Sequence, residues 1–190
     1  IVQMFYNILV SQPFAEKHEI DTQHSAPTPL LTDYTRRSIA EFVRSYPNVG
    51  LLVCLGEALT GRDHQLAWMN EAIVPGVRDG LNALGAAEAP PIVLRAHHIE
   101  DNLDIIPEIL AEYPNLYTMT KFNGESLTTY EERGRYQRIH RTMSRLGSSH
   151  IANVHLLSNL EPFRYGSVRF IKKCVQSFEP RLGANGLHLY

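Results

Sequence analysis

Two carboxylates and two cations stand where apolar runs of this chain give out. Glu57 comes directly after Val49-Gly50-Leu51-Leu52-Val53-Cys54-Leu55 and the small Gly56, and Glu161 comes shortly after His155-Leu156-Leu157. Two carboxyl groups facing one pocket are what glycosidic cleavage needs: one protonates the leaving oxygen while the other attacks the anomeric carbon or activates water. Arg95 and Lys121 lie inside or at the end of apolar runs, where a charge is costly unless something pairs with it. That partner is either an internal carboxylate, from Glu57, Glu125 or Glu161, or the carboxylate of an acidic ligand. A planar guanidinium beside a point-charge ammonium suits a uronic acid.

Other side chains add less. His97-His98 is the adjacent pair among nine histidines, and on a strand the two would point to opposite faces, so that one lines the pocket. No HExxH or comparable spacing occurs, and neither a metal nor a cofactor is expected. Tyr165, Tyr117 and Tyr130 could stack on sugar rings, whereas Trp68 falls within helical periodicity and reads as packing. Cys54 and Cys174 are too far apart and too isolated to suggest a metal motif or a disulfide framework.

The elements that must position these groups follow from the apolar pattern. Strands are expected at Val2–Val10, Val49–Leu55, Pro91–Ala96, Leu116–Lys121, Ile151–Leu157 and Gly186–Tyr190. Helices are expected over Thr32–Tyr46 with Thr32 or Asp33 as N-cap, over His64–Leu84 with a kink at Pro75, and over Leu103–Tyr113. Two more follow over Glu131–Leu146, closed by Gly147, and through Val168, Ile171, Val175 and Phe178. Tyr46-Pro47-Asn48-Val49 and Tyr113-Pro114-Asn115-Leu116 repeat one joint, each closing a helix and opening a strand.

Strands separated by helices run parallel, which both a (β/α) barrel and an open doubly wound sheet satisfy. Polar residues collect where the strands end: Asn7, Gly56-Glu57, Arg95 with His97-His98, Lys121 through Glu125, Ser158-Asn159 with Glu161, and His188. No GxGxxG or GxxxxGK[ST] follows the first strand. The pattern favours an α/β fold of the (β/α)8 TIM-barrel type. A full barrel needs about 250 residues, so these 190 read as a single partial catalytic domain over 1–190, without internal boundary, supplying roughly the later strands of a larger chain.

Composition sets outer limits. Eighteen Lys and Arg against 20 Asp and Glu give a net charge of −2, which argues against a general electrostatic grip on nucleic acid or anionic membrane. The chain has no run of roughly 18 apolar residues that would span a membrane.

In order along the chain, these motifs resemble the α-glucuronidases of glycoside hydrolase family 67. The segment Phe14-Ala15-Glu16-Lys17-His18 and the helix ending in Tyr46-Pro47 are similar to the approach to that family's acid-bearing strand. Gly56-Glu57 corresponds to its general acid, Arg95-Ala96 to an arginine that binds the uronate carboxylate, and Lys121-Phe122-Asn123-Gly124 to a Lys-Asn-Gly motif whose lysine does likewise. Glu161, followed by an aromatic residue and Gly166, resembles the strand carrying a catalytic base. Val53 stands where the family has a second lysine, and Glu125 is the carboxyl nearest to a family aspartate.

The resemblance implies a carbohydrate-active hydrolase of extracellular or periplasmic location. Its catalytic candidates are Glu57, Glu161 and Glu125, and its substrate-binding candidates are Arg95, Lys121, Asn123, His97, His98 and Tyr165. The partner is an oligo- or polysaccharide. A polysaccharide lyase using His97, His98 or a tyrosine as base, and a non-catalytic glycan-binding barrel, remain alternatives.

Overall fold

The computed structural model describes residues 8–56, 58–124, 129–155 and 167–189, together with the backbone of 2–6. Strands and helices alternate along it, and the chain divides into two compact units, residues 1–93 with 97–115 and residues 94–96 with 116–190.

In the first unit, β1 (Val2–Tyr6) runs parallel to β4 (Gly50–Cys54), with Val2 opposite Gly50 and Tyr6 opposite Cys54. Next to β4 comes β5 (Ile92–Arg95), where the Leu51 N–H donates to the Pro91 carbonyl at 3.1 Å. The expected strand Val2–Val10 is thus two elements. Its second part, β2 (Ile8–Leu9), pairs antiparallel with β3 (Gln23–His24). Between them lies a helix that hydrophobic periodicity missed, α1 (Gln12–His18), a seven-residue segment with a proline in its first turn.

The first long helix, α2 (Pro29–Ser45), begins earlier than expected. Its N-cap is Thr28, whose hydroxyl accepts from the Leu31 N–H at 3.3 Å, rather than Thr32 or Asp33. Pro29 explains the shift, because its fixed φ suits the first helical position and its missing N–H costs nothing there. The stretch expected as one kinked helix is three: α3 (Arg62–Ala67), a π-helical turn over Trp68–Ile73, and α4 (Val74–Leu84). The disruption lies ahead of Pro75, whose ring and missing N–H disfavour a regular α-helical turn before it. Trp68 is buried, in keeping with a packing role.

Helices α2 and α4 meet through two glycines. A Cβ on Gly76 would come within 2.8 Å of the Arg36 carbonyl oxygen, and one on Gly80 within 2.7 Å of Val43 Cβ. This close approach is what brings Ile39 and Val43 into the core. The last helix of the unit is α5 (Ile105–Glu112). The repeated joint is real: Tyr46 and Tyr113 are the C-caps of α2 and α5, each donating its N–H at 2.8 Å to the carbonyl four residues back.

The second unit begins with the last residues of β5 and continues through β6 (Leu116–Lys121), α6 (Gly134–Leu146), β7 (Ser149–Val154), α7 (Val168–Ser177), a π-helical turn over Phe178–Leu182, and β8 (Gly186–Leu189). Lys121 is opposite Asn153, and Asn153 opposite His188, in parallel pairs. The Ala96 N–H donates to the Met119 carbonyl at 2.8 Å, which in a parallel ladder sets Arg95 level with Met119. The strand order is β1-β4-β5 in the first unit and β5-β6-β7-β8 in the second. Neither reverses, and a doubly wound sheet requires a reversal.

The core of the second unit gathers Phe122, Ala152, Val154, Cys174, Phe178, Leu182 and Ala184. Tyr136 is exposed on α6, and on α7 Val168 and Val175 face solvent while Cys174 and Ser177 are buried. Gly147 does close α6, but in extended backbone rather than left-handed. Its lack of a side chain matters because a Cβ would sit 2.7 Å from Thr118 Cγ2. Among the described residues no helix is long and apolar enough to cross a membrane.

Candidate active site

Strand alternation sorts the second unit into two faces. Thr118 on β6 and His150 on β7 point toward α6: the Thr118 hydroxyl lies 3.1 Å from the Met143 carbonyl and His150 Nε2 lies 2.7 Å from His140 Nδ1. Residues of the other parity therefore point away from the helices. They are Arg95 with Met119, then Lys121, Asn153 and His188 level with one another, and His155 just beyond β7. A face opposite the helices that carries Arg, Lys, Asn and two His is not built for packing.

Its groups are organised by Asn153, which is buried. The Asn153 amide nitrogen lies 3.4 Å from the His188 carbonyl oxygen, which can only accept, and this fixes the amide's orientation. The same nitrogen then donates to His188 Nδ1 at 2.9 Å, and the amide oxygen accepts from His155 Nε2–H at 3.1 Å. His188 is accordingly a neutral imidazole with its proton on Nε2. Burial lowers its pKa below the ordinary value, and the positive charge of Arg95 lowers it further.

Arg95 is 9% exposed, and its Nε has no hydrogen-bond partner. A buried guanidinium with an open donor is a costly arrangement in an empty site and a useful one for an oxyanion. Lys121, half-buried, ends β6 on the same face. The next residues turn sharply: Asn123 has φ 47° and Gly124 φ 65°.

That turn is held from behind by a buried chain of polar groups. Glu132 Oε1 accepts from the Asn123 N–H, and Glu132 Oε2 is 3.0 Å from His140 Nε2 in an ion pair whose two partners are wholly buried. The contact lacks the directionality of a hydrogen bond. His140 Nδ1 reaches His150, and His150 Nδ1 reaches the Thr118 hydroxyl at 2.8 Å. Burial pushes the His150 pKa down to about 3, and the His140 charge adds to the effect.

His150 therefore makes stability pH-dependent. The unfolded chain protonates this histidine near pH 6.5 and the folded one only near 3, so the unfolded state binds more protons between those values. The contribution is complete above pH 6.5 and is lost as pH falls toward 3. Urea midpoints of the intact protein should fall between pH 6.5 and 5, before carboxylates titrate, with a slope of up to about 1.4 kcal/mol per pH unit from this residue. His150→Gln should flatten that slope; an unchanged slope would contradict the assignment.

The other candidates lie elsewhere in the chain. His97 and His98 do not alternate on a strand. They lie in the turn after β5, His98 exposed with φ 61°, and their rings meet edge to face at 4.3 Å. In the first unit that turn is tied down by buried Gln65, whose amide nitrogen donates to the His98 carbonyl at 3.1 Å and whose oxygen accepts from Asn102 at 2.9 Å. Glu57, Glu125, Glu161, Tyr165, Asn7 and Ser158-Asn159 lie outside the described residues. Cys54 and Cys174 are both buried and form no disulfide. Among the described residues no three His, Cys, Asp or Glu side chains converge on a possible metal position.

Asn153 and His155 were not singled out from the sequence. The available signal was two polar residues of equal parity in the run Ile151-Ala152-Asn153-Val154-His155.

No family model and no curated protein matches the chain. Among solved structures, it is similar over its full length to a GH138 enzyme targeting pectin rhamnogalacturonan II, at 50% sequence identity and a TM-score of 0.90. The chain spans 28% of that protein's length. At this identity the two share the fold of the matched segment. The similarity is to a glycoside hydrolase of a family other than 67.

Proposed function

We propose that the chain is part of a glycoside hydrolase that cleaves a pectin-type plant polysaccharide at an acidic sugar. The observation that carries this reading is Arg95, delivered by β5 to the polar face with a buried, unpartnered Nε and with Lys121 and neutral His188 on the same face. A uronate carboxylate supplies the missing acceptor. The similarity to a pectin-targeting GH138 enzyme supports both the reaction class and the polymer. It gives no support to the narrower α-glucuronidase reading.

In this reading Glu57 is the general acid and Glu161 the base or nucleophile, with Glu125 a further candidate for the second carboxyl. Asn123 and Tyr165 complete the sugar contacts. The unreversed strand order and the polar face turned from the helices support a barrel wall, which the remainder of a larger chain would close. One observation favours a second reaction on the same site: a neutral imidazole on the same face as the carboxylate-binding arginine is what β-elimination by a lyase would need, with His188 as base.

Arg95→Met in the intact protein tests the carboxylate site. Loss of a charge-assisted hydrogen bond is worth roughly 1.5–3 kcal/mol, so kcat/KM on an acidic sugar should fall about ten- to a hundred-fold while its neutral counterpart changes little. Equal effects on both would remove the carboxylate from the site.

A further inference from the structure

The net charge of −2 conceals a segregation. Residues 116–190 hold eleven Lys or Arg against five Asp or Glu, while residues 1–115 hold seven against fifteen. Much of the excess lies on α6, whose sequence GRYQRIHRTMSRL contains four arginines and no acid. The helix buries Ile139, His140 and Met143. Arg138, Arg141 and Arg145, at i, i+3 and i+7, project from the side opposite that face, with Arg135 at its edge, and all four are exposed. Among the described residues none of the four forms an ion pair, although Arg133 and Arg181 both reach Glu131 nearby.

Like charges at this spacing repel and cost an isolated helix a few tenths of a kcal/mol per pair. Solvated arginines on helices normally alternate with acids, as Arg37 does with Asp33 and Arg44 with Glu41 on α2. Among the described residues no acid on α6 offsets the repulsion, and a polyanion lying along the helix would. From Arg135 to Arg145 the stripe is about 15 Å long at 1.5 Å per residue, enough to meet several successive carboxylates of an extended acidic polymer.

We propose that the exposed face of α6 is a second glycan-binding surface, engaging an acidic polysaccharide through Arg138, Arg141 and Arg145 away from the strand-end site. The choice of polymer rests on the proposed function. The surface itself rests on the uncompensated arginine stripe. Its chemistry is non-directional attraction of carboxylates by guanidinium groups, which weakens with salt and holds a chain near the protein without orienting one sugar.

The test uses the intact protein and sodium polygalacturonate, with a neutral galactan as control. Affinity electrophoresis and calorimetry compare the wild type with R138Q/R141Q/R145Q and R138E/R141E/R145E. Gln keeps helix propensity, so an unchanged melting temperature separates binding from folding. The reversal variant should bind polygalacturonate at least about ten-fold more weakly at low salt, with a flatter salt dependence and the Gln variant in between, and with turnover of small substrates unchanged. Unaltered polygalacturonate affinity in both variants would overturn the proposal. So would arginine-dependent binding of a DNA oligonucleotide without arginine-dependent binding of polygalacturonate. If the protein binds polygalacturonate through α6 but hydrolyses no uronate-bearing glycan, the proposed function fails and this surface stands.

Discussion

Glu57→Gln in the intact protein is expected to lose 10²–10⁴-fold in turnover of substrates with poor leaving groups, the range that general acid catalysis contributes. Activated aryl glycosides, whose leaving groups need no proton, should lose far less. The asymmetry is the informative part, because a misfolded or loosened site would depress both substrate kinds alike. Steady-state kcat measured across a series of leaving groups makes the comparison. Small, equal losses would take Glu57 out of the acid role.

Glu132→Ala should be the most damaging substitution for stability within the second unit. It removes the carboxylate 3.0 Å from the buried His140 Nε2 and strips the Asn123 N–H of its acceptor. Removing one partner of a buried ion pair costs about 3–5 kcal/mol. Replacing both partners at once, as Glu132→Leu with His140→Leu, should cost less than the single change, since no charge is then left alone. Urea denaturation of the intact protein checks both. A cost under about 1 kcal/mol for Glu132→Ala would mean that the carboxylate carries no buried charge.

Strand positions were the most legible feature of the sequence. A parallel strand covered on both sides is a short apolar run with turn residues at each end, and Leu116–Lys121 was placed to the residue. Helix faces were less legible. The apolar period of α7 runs through Val168 and Val175, whereas burial there goes to Cys174 and Ser177, which an apolar count ranks below valine. The π-helical turn before Pro75 widens the helix where the pattern alone suggested a kink. Arg95 and Lys121 were recognisable because a charge in an apolar run is anomalous by itself. Glu132 and His140 were not, since on α6 and just before it they stand among many charged residues, and their burial depends on contacts with His150, ten residues away in the chain.

The central claim, hydrolysis at an acidic sugar, is tested most directly by the products that the intact protein releases from a pectic polysaccharide. New reducing ends on a free uronic acid, with no rise in near-ultraviolet absorbance, are the predicted result. Absence of new reducing ends would contradict hydrolysis, and an unsaturated, ultraviolet-absorbing product would assign the site to β-elimination.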